Sequence, residues 1–119
     1  MKNKGVLGEA FAKEQLEKDG YRVIARNYHT RYGEIDLIVQ KEETLAFVEV
    51  KTRSKSGWER PASAVDKRKQ KKICLAAQQY LQENAFDCWM RFDVFEIITR
   101  SSDGFVVEEY AHIEGAFIP

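Results

Sequence analysis

Charged side chains interrupt two segments of this chain, residues 33–38 and 47–53, that otherwise have the apolar composition of buried strands. Because successive side chains of a strand point to opposite faces, Glu49 and Lys51 project from one face. A second strand beside this one brings Asp36 within reach of Glu49. Charges on a largely apolar sheet are costly unless something offsets them. A divalent metal bridging the carboxylates, with a phosphate ester to hydrolyse, would do so.

Each charged segment taken alone is a weak signal, because an antiparallel sheet commonly has one solvated face. Glu34, which shares the strand face of Asp36, could be part of such a solvated face, or it could assist or replace Asp36. The combination of the two segments is more informative. Both are mostly apolar on both faces, as in sheets covered by helices, so their few charges are expected to share one opening in the cover.

The chain has 119 residues, which predicts a single domain spanning residues 1–119. The N-terminal segment lacks the apolar core of a signal peptide, and no stretch approaches membrane-spanning length. Cys74 and Cys88 show no metal-binding or redox spacing, which favours a reducing compartment. We therefore expect a cytoplasmic protein with no membrane contact.

Hydrophobic periodicity and turn residues predict the order helix, three strands, helix, two strands. The first helix is expected to stop at Gly20, and Ser63 is a candidate N-cap for the second, with Asp66 three residues on. The long helix permits a parallel crossover, whereas the short turns make hairpins. The fold class is therefore α/β, a mixed sheet flanked by helices, with predicted elements at 6–19, 21–28, 33–38, 47–53, 63–84, 90–99 and 105–112.

Charge is distributed unevenly although the net charge is zero. Residues 51–75 contain nine lysines and arginines against two carboxylates, a net charge of +7, while residues 76–119 contain two arginines against eight carboxylates, a net charge of −6. This asymmetry indicates a side that faces a polyanion. A basic helix that simply faces water is the alternative, and charge alone favours it.

Two helical residues have both a structural and a functional interpretation. Glu9 lies at the edge of the packed face of the first helix, formed by Gly8, Ala12 and Leu16, so it is either a salt-bridge partner or a metal-site carboxylate. Lys69 falls within the apolar stripe of the second helix. It either extends its ammonium to water or lies beside the acidic cluster, where it, or the adjacent glutamine, contacts phosphate or positions water.

Several elements occur in order along the chain: Gly8-Glu9-x-x-Ala12, Gly20-Tyr21, Asn27, Gly33-Glu34-Ile35-Asp36-Leu37-Ile38, Phe47-Val48-Glu49-Val50-Lys51-Thr52-Arg53, Ala64-Val65, Lys69-Gln70 and Arg91-Phe92-Asp93-Val94. With them the chain resembles the YraN-like family of uncharacterised bacterial proteins, itself similar to the archaeal Holliday-junction resolvases of the PD-(D/E)XK nuclease superfamily. The resemblance implies a restriction-endonuclease-like αβββαβ core with the active site on adjoining strands.

The resemblance also implies residue roles. By motif position, Asp36 takes the first acidic role, Glu49 and Lys51 take the Glu-x-Lys role, and Glu9 takes the extra helix carboxylate of the resolvase branch. Asp36, Glu49 and the carbonyl of Val50 are expected to hold Mg²⁺ or Mn²⁺, with Glu9 binding through water or helping to hold a second ion. Lys51 would orient water or stabilise charge on the transition state, in a cleavage that leaves a 5′-phosphate.

Nucleic acid, DNA rather than RNA, is the expected partner, and the resolvase analogy implies a homodimer. No recognition helix or zinc finger is visible in the sequence, so structure-selective endonuclease activity on branched or single-stranded substrates is favoured over sequence-specific binding. Trp58 would stack on an unpaired base, or alternatively pack over the sheet edge. The expected contacts come from Arg53, Lys55, Trp58, Arg60, Lys67, Arg68, Lys69, Gln70, Lys71 and Lys72.

Two rivals remain. One is a module of nuclease fold that grips nucleic acid with little or no catalysis, although the intact set of Asp36, Glu49 and Lys51 weighs against degeneration. The other is an interaction domain with no role in nucleic-acid metabolism. A zinc enzyme is disfavoured, because the histidines and cysteines show no ligand spacing.

Overall fold

The computed structural model describes residues 4–55, 65–101 and 103–118. Two helices and five strands follow one another in the predicted order. Their bounds are α1 Lys4–Lys18, β1 Arg22–His29, β2 Glu34–Lys41, β3 Thr44–Ser54, α2 Lys67–Glu83, β4 Trp89–Thr99 and β5 Val107–Phe117.

The five strands form one mixed sheet in the order β1-β2-β3-β4-β5. Neighbouring strands are antiparallel except β3 and β4, which run parallel in register from Thr44 opposite Trp89 to Ser54 opposite Thr99. A parallel pair needs a long crossover, and α2 provides it. The predicted α/β class is confirmed, and this arrangement is compatible with a restriction-endonuclease-like core.

The sheet has a packed cluster on each face. The cluster between α1 and the sheet comprises Ala12, Leu16, Tyr21, Leu37, Val39, Ala46, Val48, Phe95 and Ile97. The cluster between α2 and the sheet comprises Ile35, Ile38, Leu45, Phe47, Ile73, Ala76, Ala77, Tyr80 and Phe92. Strand β3 is apolar on both faces because it lies between two helices, as its composition predicted.

The end of α1 confirms Gly20 as its stop signal. Gly20 has a φ of +95°, its N–H donates to Glu17 O at 3.0 Å, and the N–H of Tyr21 donates to Leu16 O at 3.0 Å. This pair of bonds is a Schellman motif, which requires the left-handed conformation that glycine adopts without strain.

The predicted start of α2 was wrong. Its N-cap is Asp66, whose Oδ1 accepts a hydrogen bond from the N–H of Lys69 at 2.8 Å. A carboxylate at this position satisfies a free N–H of the first turn and interacts favourably with the helix dipole. Ser63, the predicted N-cap, lies outside the described residues. The stripe of Ile73, Ala76, Ala77 and Tyr80 is buried as expected.

Strand β5 also differs from its prediction, because it begins at Val107 and continues beyond His112 to Phe117. The N–H of Gly115 donates to Asp93 Oδ1 at 3.0 Å, and Phe117 stacks on Phe92 with ring centroids 5.2 Å apart. These contacts with β4 are long-range, so strand propensity alone could not place the end of β5.

Neither α1 nor α2, the two helices found within 4–55, 65–101 and 103–118, has the length and hydrophobicity required to cross a bilayer.

Close approach of α1 to β3 gives a stability prediction. A Cβ atom added at Gly8 would clash with Thr52 Oγ1, so Gly8→Ala requires α1 or the Thr52 side chain to shift. We expect urea unfolding to show a loss of about 1–3 kcal/mol, the usual cost of overpacking. Gly104→Ala is the matched control, because nothing lies within 4 Å of its added Cβ. Equal stability of the two variants would contradict the close packing.

Candidate metal centre

The site begins where β2 and β3 separate. Their antiparallel pairing extends to Leu37 opposite Val48, and Asp36 is the next residue of β2. Ile35 packs on the α2 side of the sheet and Leu37 on the α1 side, so the alternation of faces is interrupted at Asp36. The carboxylate of Asp36 accepts the N–H of Val50 at 2.8 Å in place of a strand partner.

Three carboxylates meet at this gap. Glu9 of α1 and Glu34 and Asp36 of β2 each offer an oxygen, and these oxygens lie within 4.8 Å of one another. Glu9 reaches the gap because the small Gly8 lets α1 lie directly on β3. Glu34 also pairs with His29 Nδ1 at 3.3 Å, and the Glu34 side chain is 38% exposed.

Burial and mutual repulsion shape the electrostatics of this acidic cluster, formed by Glu9, Glu34 and Asp36. Burial, then the charge of Glu49, raise the pKa of Asp36 to about 7, while the Val50 N–H opposes the shift. The pKa of Glu9 is also raised, mainly by burial, against a lowering hydrogen bond with Asn27. A nearby cation would stabilise the ionised form of a carboxyl group whose pKa is raised in this way.

Glu49 and Lys51 lie on the α2 side of β3. Burial raises the pKa of Glu49, and the ammonium of Lys69, 3.2 Å from Glu49 Oε1, opposes that rise. A cavity of about 370 Å³ opens beside this pair. Its lining comes from β3 and the start of α2: Glu49, Val50, Lys51, Thr52, Val65, Asp66 and Lys69.

Val50 connects the acidic cluster to the cavity. Val50 lines the cavity, and its N–H donates a hydrogen bond to the Asp36 carboxylate of the acidic cluster. The structure thus brings Glu9, Asp36 and Glu49 near one another across the gap, close enough for Glu49 to raise the pKa of both other carboxyls. The Val50 N–H is the group in contact with Asp36, and metal ligation by the Val50 carbonyl stays a prediction.

The predicted nucleic-acid residues fall into three groups. Arg53 pairs with Glu96 at 3.1 Å, and Gln70 donates to the Val65 carbonyl at 2.8 Å, so both have structural partners. Trp58 and Arg60 lie outside the described residues. The remaining cations are exposed: Lys55 after β3, and Lys67, Arg68, Lys69, Lys71 and Lys72 on the first turns of α2.

Sequence reasoning left Glu34 undecided and gave Asn27 no role. The φ of Asn27 is +50°, a conformation that asparagine tolerates better than most residues, and its side chain hydrogen-bonds Glu9. An asparagine inside a strand pattern, three residues after the β-branched pair Val23-Ile24, was the available signal. It lies between the strand pairs Arg26–Leu37 and Tyr28–Ile35, and its side chain contacts the acidic cluster through Glu9.

A second polar network lies on β4 and was also missed. Asp93 is fully buried and accepts bonds from Arg91, from His112 Nε2 at 2.7 Å and from the Gly115 N–H. Burial opposes ionisation, but the hydrogen bonds of His112 and Arg91 hold the pKa of Asp93 below its usual value. Arg91 also donates to the Tyr21 hydroxyl at 2.7 Å. These hydrogen bonds connect β5, and Tyr21 just before β1, to β4.

The profile of the uncharacterised protein family UPF0102 matches residues 8–97, which include both carboxylate strands and α2. The chain belongs to UPF0102. The predicted membership of the YraN-like family is thereby confirmed.

Relatives of the UPF0102 chain cover most of its length. It is 46% identical over 98 residues to the UPF0102 protein of Chlorobium phaeobacteroides, covering 82% of this chain and 77% of the relative. It is 42% identical over 118 residues to that of Chlorobaculum tepidum, covering 96% and 91%. The protein of Caldanaerobacter subterraneus is 38% identical over 117 residues, covering 98% and 95%.

The raised pKa of Asp36 in this UPF0102 protein predicts a pH-dependent stability. The folded state holds a proton on Asp36 up to about pH 7, whereas the unfolded state loses it near 3.8, so stability falls as the pH rises between these values. Asp36→Asn removes this pH-dependent loss of stability, and its amide oxygen can still accept the hydrogen bond from the Val50 N–H. In chelator, we expect its Tm to exceed the wild-type Tm by more at pH 8 than at pH 5.

Asp93→Asn is the matched control, with the opposite sign. The pKa of Asp93 is lowered in the folded state, so its charge contributes stability above its unfolded pKa. This variant should have a lower Tm than the wild type at pH 8. If the Tm difference between Asp36→Asn and the wild type is the same at both pH values, the raised pKa of Asp36 is contradicted.

Proposed function

We propose that this protein is a metal-dependent endonuclease that hydrolyses phosphodiester bonds of DNA, preferentially in branched or single-stranded structures. The observation that carries this proposal is the cluster of Glu9, Glu34 and Asp36 at the gap between β2 and β3. Glu49 lies close enough to raise the pKa of Asp36, and it lines the adjoining cavity together with Lys51. The resemblance to the PD-(D/E)XK nucleases supports the same assignment of these residues.

The donor set suits Mg²⁺ or Mn²⁺. Both ions prefer oxygen ligands in octahedral geometry, where adjacent ligand atoms lie about 3 Å apart and opposite ones about 4 Å apart. The oxygens of Glu9, Glu34 and Asp36 lie within 4.8 Å of one another, so small side-chain rotations would close them to that spacing. The elevated pKa of Asp36 fits a cation site, because burial first and the charge of Glu49 second disfavour its ionised form, which a bound cation would stabilise.

The ion, when bound, would polarise the phosphodiester and supply a water that ionises near neutral pH. Asp36 and Glu49 would hold it, and Glu9 would assist from α1. Lys51 lies two residues from Glu49 on the same face of β3, so its ammonium faces the same cavity. There it stabilises negative charge that develops on the phosphate in the transition state and orients the attacking water.

The basic start of α2 would position the substrate. Lys69 lines the cavity. The Cβ atom of Lys72 lies beside Gly33, the residue before Glu34, at 3.6 Å from where a Cβ added to that glycine would stand. Lys67 and Lys71 instead line a shallow groove with Ile118. Contacts of this type bind phosphates without reading bases, which agrees with selection by DNA structure rather than sequence.

The main alternative is a nucleic-acid-binding module of the same fold that cuts slowly or not at all. The presence of both carboxylates and Lys51 favours the enzyme. We further propose a cytoplasmic location from the cysteine usage, and a homodimer by analogy with resolvases that act on symmetric junctions.

Cleavage of labelled branched, single-stranded and duplex DNA in Mn²⁺ tests the enzymatic proposal. We expect Glu49→Gln and Lys51→Met to lower the cleavage rate at least about 100-fold, because each removes a group that acts on the transition state. Glu14→Gln is the matched control on α1: it also neutralises a glutamate, but one with a 64% exposed side chain paired to Lys18.

The outcomes separate the alternatives. Cleavage by the wild type and by Glu14→Gln, but not by Glu49→Gln or Lys51→Met, supports the enzymatic function. Cutting that survives in Glu49→Gln indicates a contaminating nuclease. DNA binding by the wild type without any metal-dependent cutting favours the binding module.

Salt dependence tests the DNA-binding surface. If phosphate contacts dominate, the logarithm of the association constant falls linearly with the logarithm of the salt concentration. Lys72→Ala should reduce the magnitude of that slope by about 1, the value for one lost phosphate contact. Lys71→Ala, on the groove side of the same helix, should change it less. A flat salt response, or a larger effect of Lys71→Ala, would contradict this placement of the DNA.

A further inference from the structure

The Lys69–Glu49 ion pair lies at the mouth of the candidate metal centre. Lys69 Nζ is 3.2 Å from Glu49 Oε1, and both residues line the same cavity. The Glu49 side chain is only 14% exposed, whereas the Lys69 side chain is 51% exposed. The carboxylate is therefore fixed in the site, and the lysine reaches it from a helix surface.

We propose that Lys69 is a built-in counterion of Glu49 that a divalent cation displaces, and that the released ammonium then binds a substrate phosphate. This inference rests on the proposed function, since it assigns a regulatory contact to the same site. It makes Lys69 a positioning residue that couples binding of the cation to binding of the nucleic acid.

Electrostatics gives the reason for the exchange. A half-buried carboxylate needs a neutralising charge, and Lys69 supplies one in the absence of metal. A dication bound by Glu49 would repel the ammonium at such short range. The long, largely exposed lysine stem can then rotate into the cavity, which is the space that a scissile phosphate would share with Lys51.

The proposal predicts two effects of opposite sign for Lys69→Met, which keeps the length of the side chain but removes the charge. Metal affinity rises, because the competing cation is gone. The gain in DNA affinity that metal produces falls, because no ammonium is released toward the phosphate. A lysine that only stabilises the fold predicts neither effect.

The first measurement is Mn²⁺ binding without nucleic acid, by calorimetry and by the electron paramagnetic resonance signal of free Mn²⁺. We expect Lys69→Met to bind Mn²⁺ about threefold to tenfold more tightly than the wild type, the range for losing one partly exposed competing charge. Lys69→Arg keeps the charge and should resemble the wild type. Lys72→Met removes a charge three residues after Lys69 on α2, outside the cavity lining that the described residues form around Glu49, and should have a smaller effect.

The second measurement is anisotropy of a labelled branched DNA with and without Mn²⁺, made in a Lys51→Met background so that the DNA is not cut. Adding Mn²⁺ should tighten binding less when Lys69→Met is also present than when Lys69 is intact. Thermal unfolding of each variant in chelator establishes that all of them are folded.

The outcomes distinguish this inference from the proposed function. Unchanged Mn²⁺ affinity in Lys69→Met, or an equal increase in Lys72→Met, overturns the exchange while leaving the metal site standing. A wild-type protein that binds no Mn²⁺ contradicts the metal-dependent function itself, and the exchange with it. Tighter Mn²⁺ binding with a smaller metal-induced gain in DNA affinity supports both.

Discussion

The hydrogen bond from the Val50 N–H to the Asp36 carboxylate is the contact on which the site depends. It replaces a regular strand pairing at the point where β2 and β3 separate, so it holds an acidic side chain inside an otherwise apolar sheet. Without that separation, Asp36 would either face solvent or be buried with no partner. The gap also gives Glu9 of α1 and Glu49 of β3 access to the same space.

The two helices contribute differently to this space. Helix α1 comes close to β3 because Gly8 has no side chain, and that approach delivers Glu9 to the gap. Helix α2 covers the other face with Ile73 and its neighbours, and its first turn carries the exposed cations. Acidic groups therefore collect within the sheet and basic groups at its rim, an arrangement suited to a metal ion and a polyanion together.

Much of this architecture follows from local sequence patterns. Alternation around Glu49 predicted its strand face, helical spacing predicted the buried stripe from Ile73 to Tyr80, and Gly20 marked the end of α1. The strand pairing that brings Asp36 toward Glu49 was likewise predictable, because both motifs have the composition of adjacent buried strands. The resemblance to a family supplied the roles that spacing alone left open.

Other features depend on tertiary contacts that spacing does not encode. The irregular backbone at Asn27 and Asp36 accompanies the placement of Glu34 in the acidic cluster, and the only local signal for it is an asparagine inside a strand pattern. The N-cap of α2 is Asp66, whose carboxylate accepts the Lys69 N–H, although serine is an equally good N-cap by propensity. The extent of β5 follows from long-range contacts with β4, among them the hydrogen bonds of His112 and Gly115 with Asp93.

Anomalous diffraction from crystals of the wild-type protein grown with Mn²⁺ would locate the metal ion. We expect an anomalous peak at the gap between β2 and β3, within ligand distance of both Asp36 and Glu49, with the Lys69 ammonium moved away from Glu49. A peak bound elsewhere, or none at saturating Mn²⁺ with the Lys69–Glu49 pair intact, would contradict this expectation.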